Sequence, residues 1–265
     1  MQFASIASGS SGNCLYTGND DTHLLIDAGI SKKRIEDGLK GFGVEPGDLD
    51  AVLITHEHSD HIKGLGVLAR KYGLPIYATR GTIMEIRRQR SLGEIDESLF
   101  REIRAGESFR IGNMDIHAFA IPHDARDPVS FRVDDGRFRI GTVTDLGYYD
   151  ESILTALKDC DLLYAEANHD IRMLETGPYP YQLKVRILGN YGHLSNESSG
   201  QMIRCLLNEK LQRVILGHLS KENNYPDLAL KAVQYELENS FMQNGKRPEI
   251  CVAPRDSALD IITIK

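Results

Sequence analysis

The sequence predicts an α/β protein in which two β-sheets pack face to face with helices on their outer sides. Three observations lead there. Short apolar or alternating runs interchange with helical patterns along the whole chain. The early part is a block of strands and the remainder mixes strands and helices, the order expected of layered sheets. No low-complexity tract, fixed-period repeat or Pro/Gly/Ser linker interrupts the 265 residues, so a single domain over 1–265 is expected.

The elements follow in order. The chain opens on strands over 2–7, 15–17 and 23–27, the last reading Leu24-Leu25-Ile26 before Asp27. A helical pattern over 32–41 leads to the apolar strand 51–55, then to a helix over 64–72 that stops at Gly73. Strand 75–78 and a helix over 82–90 come next, followed by a run of strands at 114–120, 129–133 and 138–142. The last stretch alternates: helix 152–158, strand 161–164, helix 195–208, strand 213–216, helix 227–243, and strands 250–252 and 259–264.

Composition narrows the function. With 41% hydrophobic and 26% charged residues the chain can bury a full core and is not a disordered polymer. Its 31 basic and 38 acidic residues leave a net charge of −7, which disfavours indiscriminate coating of nucleic acid but leaves room for a nuclease with locally positive charge. No apolar run is long enough for a membrane span, and the first residues have neither a basic nor an apolar leader region, so a cytoplasmic protein is expected. Cys14, Cys160, Cys205 and Cys251 lie far apart, against both a disulfide framework and a thiolate metal site.

The chemistry concentrates in Thr55-His56-Glu57-His58-Ser59-Asp60-His61, directly after the apolar strand. In an extended or turning backbone His56 and His58 project to one side, while Asp60 and His61 reach a neighbouring point as the chain turns toward a helix. Such a set can serve two metals rather than one. Imidazole and carboxylate without thiolate suit Zn²⁺, Mn²⁺ or Fe²⁺.

These residues resemble the HxHxDH signature of the metallo-β-lactamase superfamily, and further motifs match it in order. Asp27, ending its strand, looks like the carboxylate that buttresses the metal loop. His123 in Ile121-Pro122-His123-Asp124, Asp145 in Thr144-Asp145-Leu146-Gly147 and His218 after Val214-Ile215-Leu216-Gly217 look like the later ligands. The resemblance implies an α/β, αββα four-layer sandwich with the site at one sheet edge. It also implies two divalent ions: His56, His58, His123 and Asp145 on the first, and Asp60, His61, Asp145 and His218 on the second, with Asp145 shared. Bound ions of this kind drive hydrolysis, and their net positive charge welcomes an anionic phosphodiester.

Glu166, ending Asp161-Leu162-Leu163-Tyr164-Ala165, and His193 in Gly192-His193-Leu194-Ser195 resemble the pair with which tRNase Z-like phosphodiesterases protonate the leaving oxygen. Gly217-His218-Leu219-Ser220 has the same form, and the residues leave either histidine open as the ligand; His218 is assigned to metal because it follows an apolar strand. Asp60, Glu166 and His193 are thus the catalytic candidates.

The segments around Ser8-Gly9-Ser10-Ser11-Gly12-Asn13, Glu166-Ala167-Asn168-His169-Asp170 and Leu183-Lys184-Val185-Arg186 resemble the YycJ/WalJ family, which implies a 5′-to-3′ DNA exonuclease with a role in DNA repair. Ser10, Ser11 and Asn13 are candidates for gripping a terminal phosphate in a Gly-rich nest, the alternative being a tight strand connection. Lys184 and Arg186, among Tyr179, Tyr181 and Tyr191, either track a DNA strand or form a solvated face. The enzyme runner-up hydrolyses a small cyclic phosphodiester, lactone or thioester with the same ions. A metal-stabilised interaction protein without catalysis is disfavoured because no ligand is missing.

Overall fold

A computed structural model describes residues 1–238 and 247–265. In chain order its first elements are β1 (Gln2–Ala7), β2 (Cys14–Gly18), β3 (His23–Ile26), α1 (Lys32–Gly41), β4 (Ala51–Leu53), α2 (Ser59–Ile62), α3 (Leu65–Tyr72), β5 (Ile76–Thr79) and α4 (Arg80–Arg88). Next come β6 (Phe100–Ile103), β7 (Ser108–Ile111), β8 (Met114–Ala120), β9 (Val129–Asp134), β10 (Arg139–Val143), α5 (Glu151–Ala156), β11 (Leu162–Glu166) and α6 (Ile171–Thr176). The last are α7 (Tyr181–Leu188), α8 (Asn196–Leu206), β12 (Arg213–Gly217), α9 (Pro226–Glu238), β13 (Glu249–Val252) and β14 (Ile262–Thr263). They form two compact units: residues 1–120, 125–137 and 254–265 in one, and 121–124 and 138–253 in the other.

In the first unit a mixed sheet runs β14-β1-β2-β3-β4-β5-β6. The pairs from β14 to β3 are antiparallel and those from β3 to β6 parallel. A central run such as β4, buried on every residue, reads as continuously apolar because both faces are covered. Helix α1 starts where the Ser31 side chain accepts the Arg34 N–H, and it buries Ile35 and Leu39, four residues apart on one face. Gly38 of that helix sits against Ile6 of β1, where a Cβ would come within 2.5 Å of the isoleucine. Strands β7, β8 and β9 make an antiparallel meander in the same unit.

The second unit is built on the parallel ladder β10-β11-β12-β13. Strands β10, β11 and β12 are nearly all buried, with α8 packed on α9 and α9 on β13. Asp150 caps α5, Asp170 caps α6 and Ser195 caps α8, each side chain accepting N–H groups of the first turn.

Several sequence expectations are corrected. Strands β6 and β7 were not expected; both alternate weakly, with exposed arginines and glutamate among few apolar residues. Helices α6 and α7 were also missed, the first being short and the second exposing apolar residues that blur its period. The strand expected over 259–264 is reduced to β14. Positions 239–243 of the last expected helix lie outside the described residues. Among those described, no helix is long and apolar enough to cross a membrane.

Candidate metal centre

The expected ligands fall into two sets, one on each unit. In the first unit β4 delivers the chain to Thr55 and His56, and the turn enters α2, which carries Asp60 and His61. Asp27, just after β3, holds this loop: its Oδ1 accepts the Thr55 N–H at 2.9 Å, and its Oδ2 accepts the Thr55 hydroxyl at 2.8 Å and lies 2.7 Å from His61 Nδ1. The backbone is laced equally tightly, with Ala28 N–H on His61 O and Asn13 N–H on Asp60 O, both at 2.7 Å. Gly29 permits that approach, since a Cβ there would stand 1.6 Å from the Asp60 carbonyl oxygen.

The imidazoles of this set are oriented by their neighbours. Thr55 Oγ1 is 3.0 Å from His56 Nδ1, which turns His56 Nε2 toward His58 Nδ1 at 3.1 Å. The His56 ring centroid lies 4.6 Å from that of His58 and 4.1 Å from that of His61. His61 Nε2 points to Asp60 Oδ2 at 3.6 Å.

In the second unit Asp145, Glu166, His193 and His218 bring one ligand atom each to within 4.8 Å of one another. Glu166, buried at the end of β11, is their hub. Its Oε1 lies 2.8 Å from His193 Nδ1 and 2.9 Å from His218 Nδ1, and its Oε2 accepts the N–H groups of Leu194 at 3.1 Å and Leu146 at 3.2 Å. Burial alone would raise this carboxyl's pKa; the charge of His193 and the hydrogen bonds from His193 and His218 prevail and hold it below the ordinary range.

His218 Nε2 is 3.4 Å and His123 Nε2 3.8 Å from Asp145 Oδ1. His123 Nδ1 lies 3.3 Å from the Gly192 carbonyl, so that carbonyl orients the ring. The His193 side chain is 15% exposed against 2% for His218, so it is His193 that reaches the surface.

Backbone strain marks the same places. Four non-glycine residues have positive φ among those described, and three of them are Asp27 (63°), Asp145 (61°) and His218 (54°). Each follows the end of a strand, where a left-handed residue swings its side chain across the strand terminus; L residues hold that conformation only where surroundings fix it.

The donors fit divalent metal ions. They are imidazole nitrogens and carboxylate oxygens without thiolate, and the opposite nitrogens of His56, His61, His123 and His218 are turned to a hydroxyl, carbonyl or carboxylate, the outer arrangement that metal-bound histidines require.

The expected substrate residues divide. Ser10 and Ser11 are exposed at the tip of their loop. Asn13 is buried: it accepts the Gly9 N–H at 2.9 Å through Oδ1, and its Nδ2 lies 3.1 Å from His61 Nε2 and 3.4 Å from Asp60 Oδ2. Its amide group faces Asp60 and His61. Lys184 Nζ donates to the Glu175 carbonyl at 2.7 Å and Arg186 makes a forked pair with Asp124, so both charges are engaged within the protein while Tyr181 and Tyr191 stay exposed. Sequence reasoning missed Thr55 and the buried Asn168, Asn196 and Asn224; polar residues beside the motifs were the only signal.

Residues 22–219 match the family described as Beta-lactamase superfamily domain. Over its whole length the chain is 42% identical to "Exodeoxyribonuclease WalJ" of Streptococcus pneumoniae, spanning 98% of that protein. It is 36% identical to "Exodeoxyribonuclease YycJ" of Bacillus anthracis over 94% of each. Among solved structures, the metallo-beta-lactamase fold protein YhfI from Bacillus subtilis superposes with a TM-score of 0.71 at 18% identity, covering 97% of this chain and 98% of that one, a likeness of fold. The matched family model, the ordered motifs and the end-to-end identity place the chain in the beta-lactamase superfamily and, within it, in the WalJ/YycJ family.

Proposed function

We propose that this chain is a two-metal phosphodiesterase that shortens DNA from its 5′ ends, in the cytoplasm and in the service of DNA repair, with residues 1–265 working as one metallo-β-lactamase domain. Relatives that match it from end to end are exodeoxyribonucleases, which supports a nucleic-acid substrate. The observation that carries the phosphodiester reading is the 2.8 Å contact between Glu166 Oε1 and His193 Nδ1 beside Asp145 and His218. An alkoxide leaving group needs a proton, whereas a thiolate does not.

In this reading His56, His58, His123 and Asp145 hold one ion, and Asp60, His61, Asp145 and His218 the other; Zn²⁺ or Mn²⁺ suits these donors, and Fe²⁺ has the same ligand chemistry. When bound, two such ions supply Lewis acidity and an activated water at neutral pH. Glu166 fixes Nδ1 of His193, leaving Nε2 as the atom that carries the proton. As water adds to phosphorus and the P–O3′ bond breaks, the leaving 3′ oxygen takes that proton, the attacking water's own proton passes to solvent, from which His193 is reprotonated, and the shortened strand keeps a new 5′ phosphate. Ser10 and Ser11, exposed on a loop tied through Asn13 to Asp60 and His61, offer N–H and hydroxyl groups to the terminal phosphate.

The test is digestion of end-labelled DNA and RNA with added Mn²⁺ or Zn²⁺. Release of a 5′ label as mononucleotide from DNA, undiminished by blocked 3′ ends, is expected. Digestion that stops when 3′ ends are blocked, or efficient cutting of closed circles, contradicts the 5′-end mode. Hydrolysis of small esters with no attack on either polymer contradicts the nuclease reading altogether.

A further inference from the structure

In the second unit Glu166 ends β11 and leads into one loop, His193 and His218 lie on two others, and none of the three residues lies within a helix. What fixes these loops to one another is a set of asparagines outside the donor set. Asn168, Asn196 and Asn224 are 4%, 0% and 6% exposed. Asn224 Nδ2 donates to Asn196 Oδ1 at 2.8 Å, to the Ala167 carbonyl at 2.9 Å and to the Asn168 carbonyl at 3.1 Å. Asn196 Nδ2 returns a bond to Asn224 Oδ1 at 3.1 Å, so the two amides are paired face to face.

The pair reaches both histidines through short chains of bonds. Asn168 Nδ2 donates to the His218 carbonyl at 2.9 Å, and the Asn168 carbonyl accepts the Ser220 N–H at 2.7 Å, which braces His218 in its left-handed conformation. On the other side Asn168 N–H donates to the Leu194 carbonyl at 3.0 Å and Asn196 N–H to the His169 carbonyl at 2.9 Å, which seats the segment following His193.

Helix capping does not account for Asn196. Ser195 already caps α8, accepting the Ser198 N–H at 3.1 Å, and the Asn196 side chain is spent on another loop. Burying amide groups is unfavourable unless their hydrogen bonds are met, and here they are met by backbone and side chains of the three loops that carry the chemistry.

We propose that the Asn196–Asn224 pair is a positioning clasp that holds the His193 loop at its working position beside Glu166. Neither asparagine touches the reacting atoms; both act through the loops. The proposal rests on the reading of His193 as proton donor. A displacement of about 1 Å at a reacting group can cost about 10²-fold in rate, so loss of the clasp shows chiefly in the step that needs His193.

The test compares Asn224→Ala, Asn196→Ala, His193→Ala and the double variant Asn224→Ala/His193→Ala in the full-length, Mn²⁺-loaded protein, on 5′-phosphorylated DNA and on a bis-nitrophenyl phosphodiester. Each asparagine variant should lower kcat on DNA by about 10–10²-fold with little change in KM, and lose far less on the nitrophenyl ester, whose leaving group needs little protonation. The double variant should be about as slow on DNA as His193→Ala alone, because both changes remove one function. Equal losses on both substrates, multiplying losses in the double variant, full activity of either single variant, or failure of both to fold would overturn the clasp. If His193→Ala itself loses equally on the two substrates, the proton-donor reading falls and the clasp's role with it; selective loss in His193→Ala without selective loss in the asparagine variants removes the clasp alone.

Discussion

Glu166 Oε1 lies 2.8 Å from His193 Nδ1, and the same oxygen lies 2.9 Å from His218 Nδ1. One buried carboxylate oxygen therefore orients two imidazoles to which different tasks are assigned, proton transfer and metal binding. Its other oxygen ties in the backbone at Leu146 and Leu194, next to Asp145 and His193.

Glu166→Ala should accordingly damage both tasks. Loss of a carboxylate behind a metal-bound histidine typically costs about 10–100-fold in metal affinity, and loss of the proton donor about 10²–10⁴-fold in rate. Chelator competition and DNA digestion at saturating metal measure the two separately; a loss confined to one of them would show that the carboxylate serves a single histidine.

His193→Ala should slow DNA hydrolysis by about 10²–10⁴-fold and leave metal content unchanged. Elemental analysis of the purified variant checks the second half. Loss of an ion would make His193 a ligand and reopen the role of His218.

Asp27→Asn keeps a residue that tolerates the positive φ of 63° but removes the charge facing His61. Metal affinity should fall by about 10–100-fold with the fold intact. An unchanged affinity by competition titration would mean that the Thr55 contacts alone secure the loop.

His169 provides a pH signature away from the ligands. Burial pushes its imidazole down to about 4, despite the opposing charge of Glu166. The unfolded chain takes up this proton near the ordinary value of about 6.5 and the folded chain only near about 4, so the stability contributed is present above about pH 6.5 and lost as pH falls toward about 4. Replacing His169 with Gln should flatten that decline by up to about 1.4 kcal/mol per pH unit, read from urea midpoints across the window. Parallel curves for variant and parent would contradict it.

Much of this site was legible because the ligand types recur at fixed spacing next to apolar strands. His56, His58, Asp60 and His61 share the six positions 56–61 shortly after β4, and Asp27, Asp145 and His218 each follow a strand end. The order of strands was readable where both faces are buried, as in β4 and β12, and failed for β6 and β7, whose exposed faces carry little apolar signal. What sequence spacing does not encode is partnership across loops. Nothing near Asn13 in sequence points to His61, 48 positions away, and nothing near Asn224 points to Asn196, 28 positions away. Those contacts exist only once strands bring their connecting loops to one edge.

The most direct test of the central claim is to follow release of a 5′-labelled nucleotide from linear DNA while Mn²⁺ is added back stepwise to chelator-stripped protein, with bound metal measured at each step. A two-metal phosphodiesterase should be inactive when stripped and should rise to full rate as occupancy approaches about two ions per chain. Full rate at well under one ion per chain, or activity that survives the chelator, would contradict it.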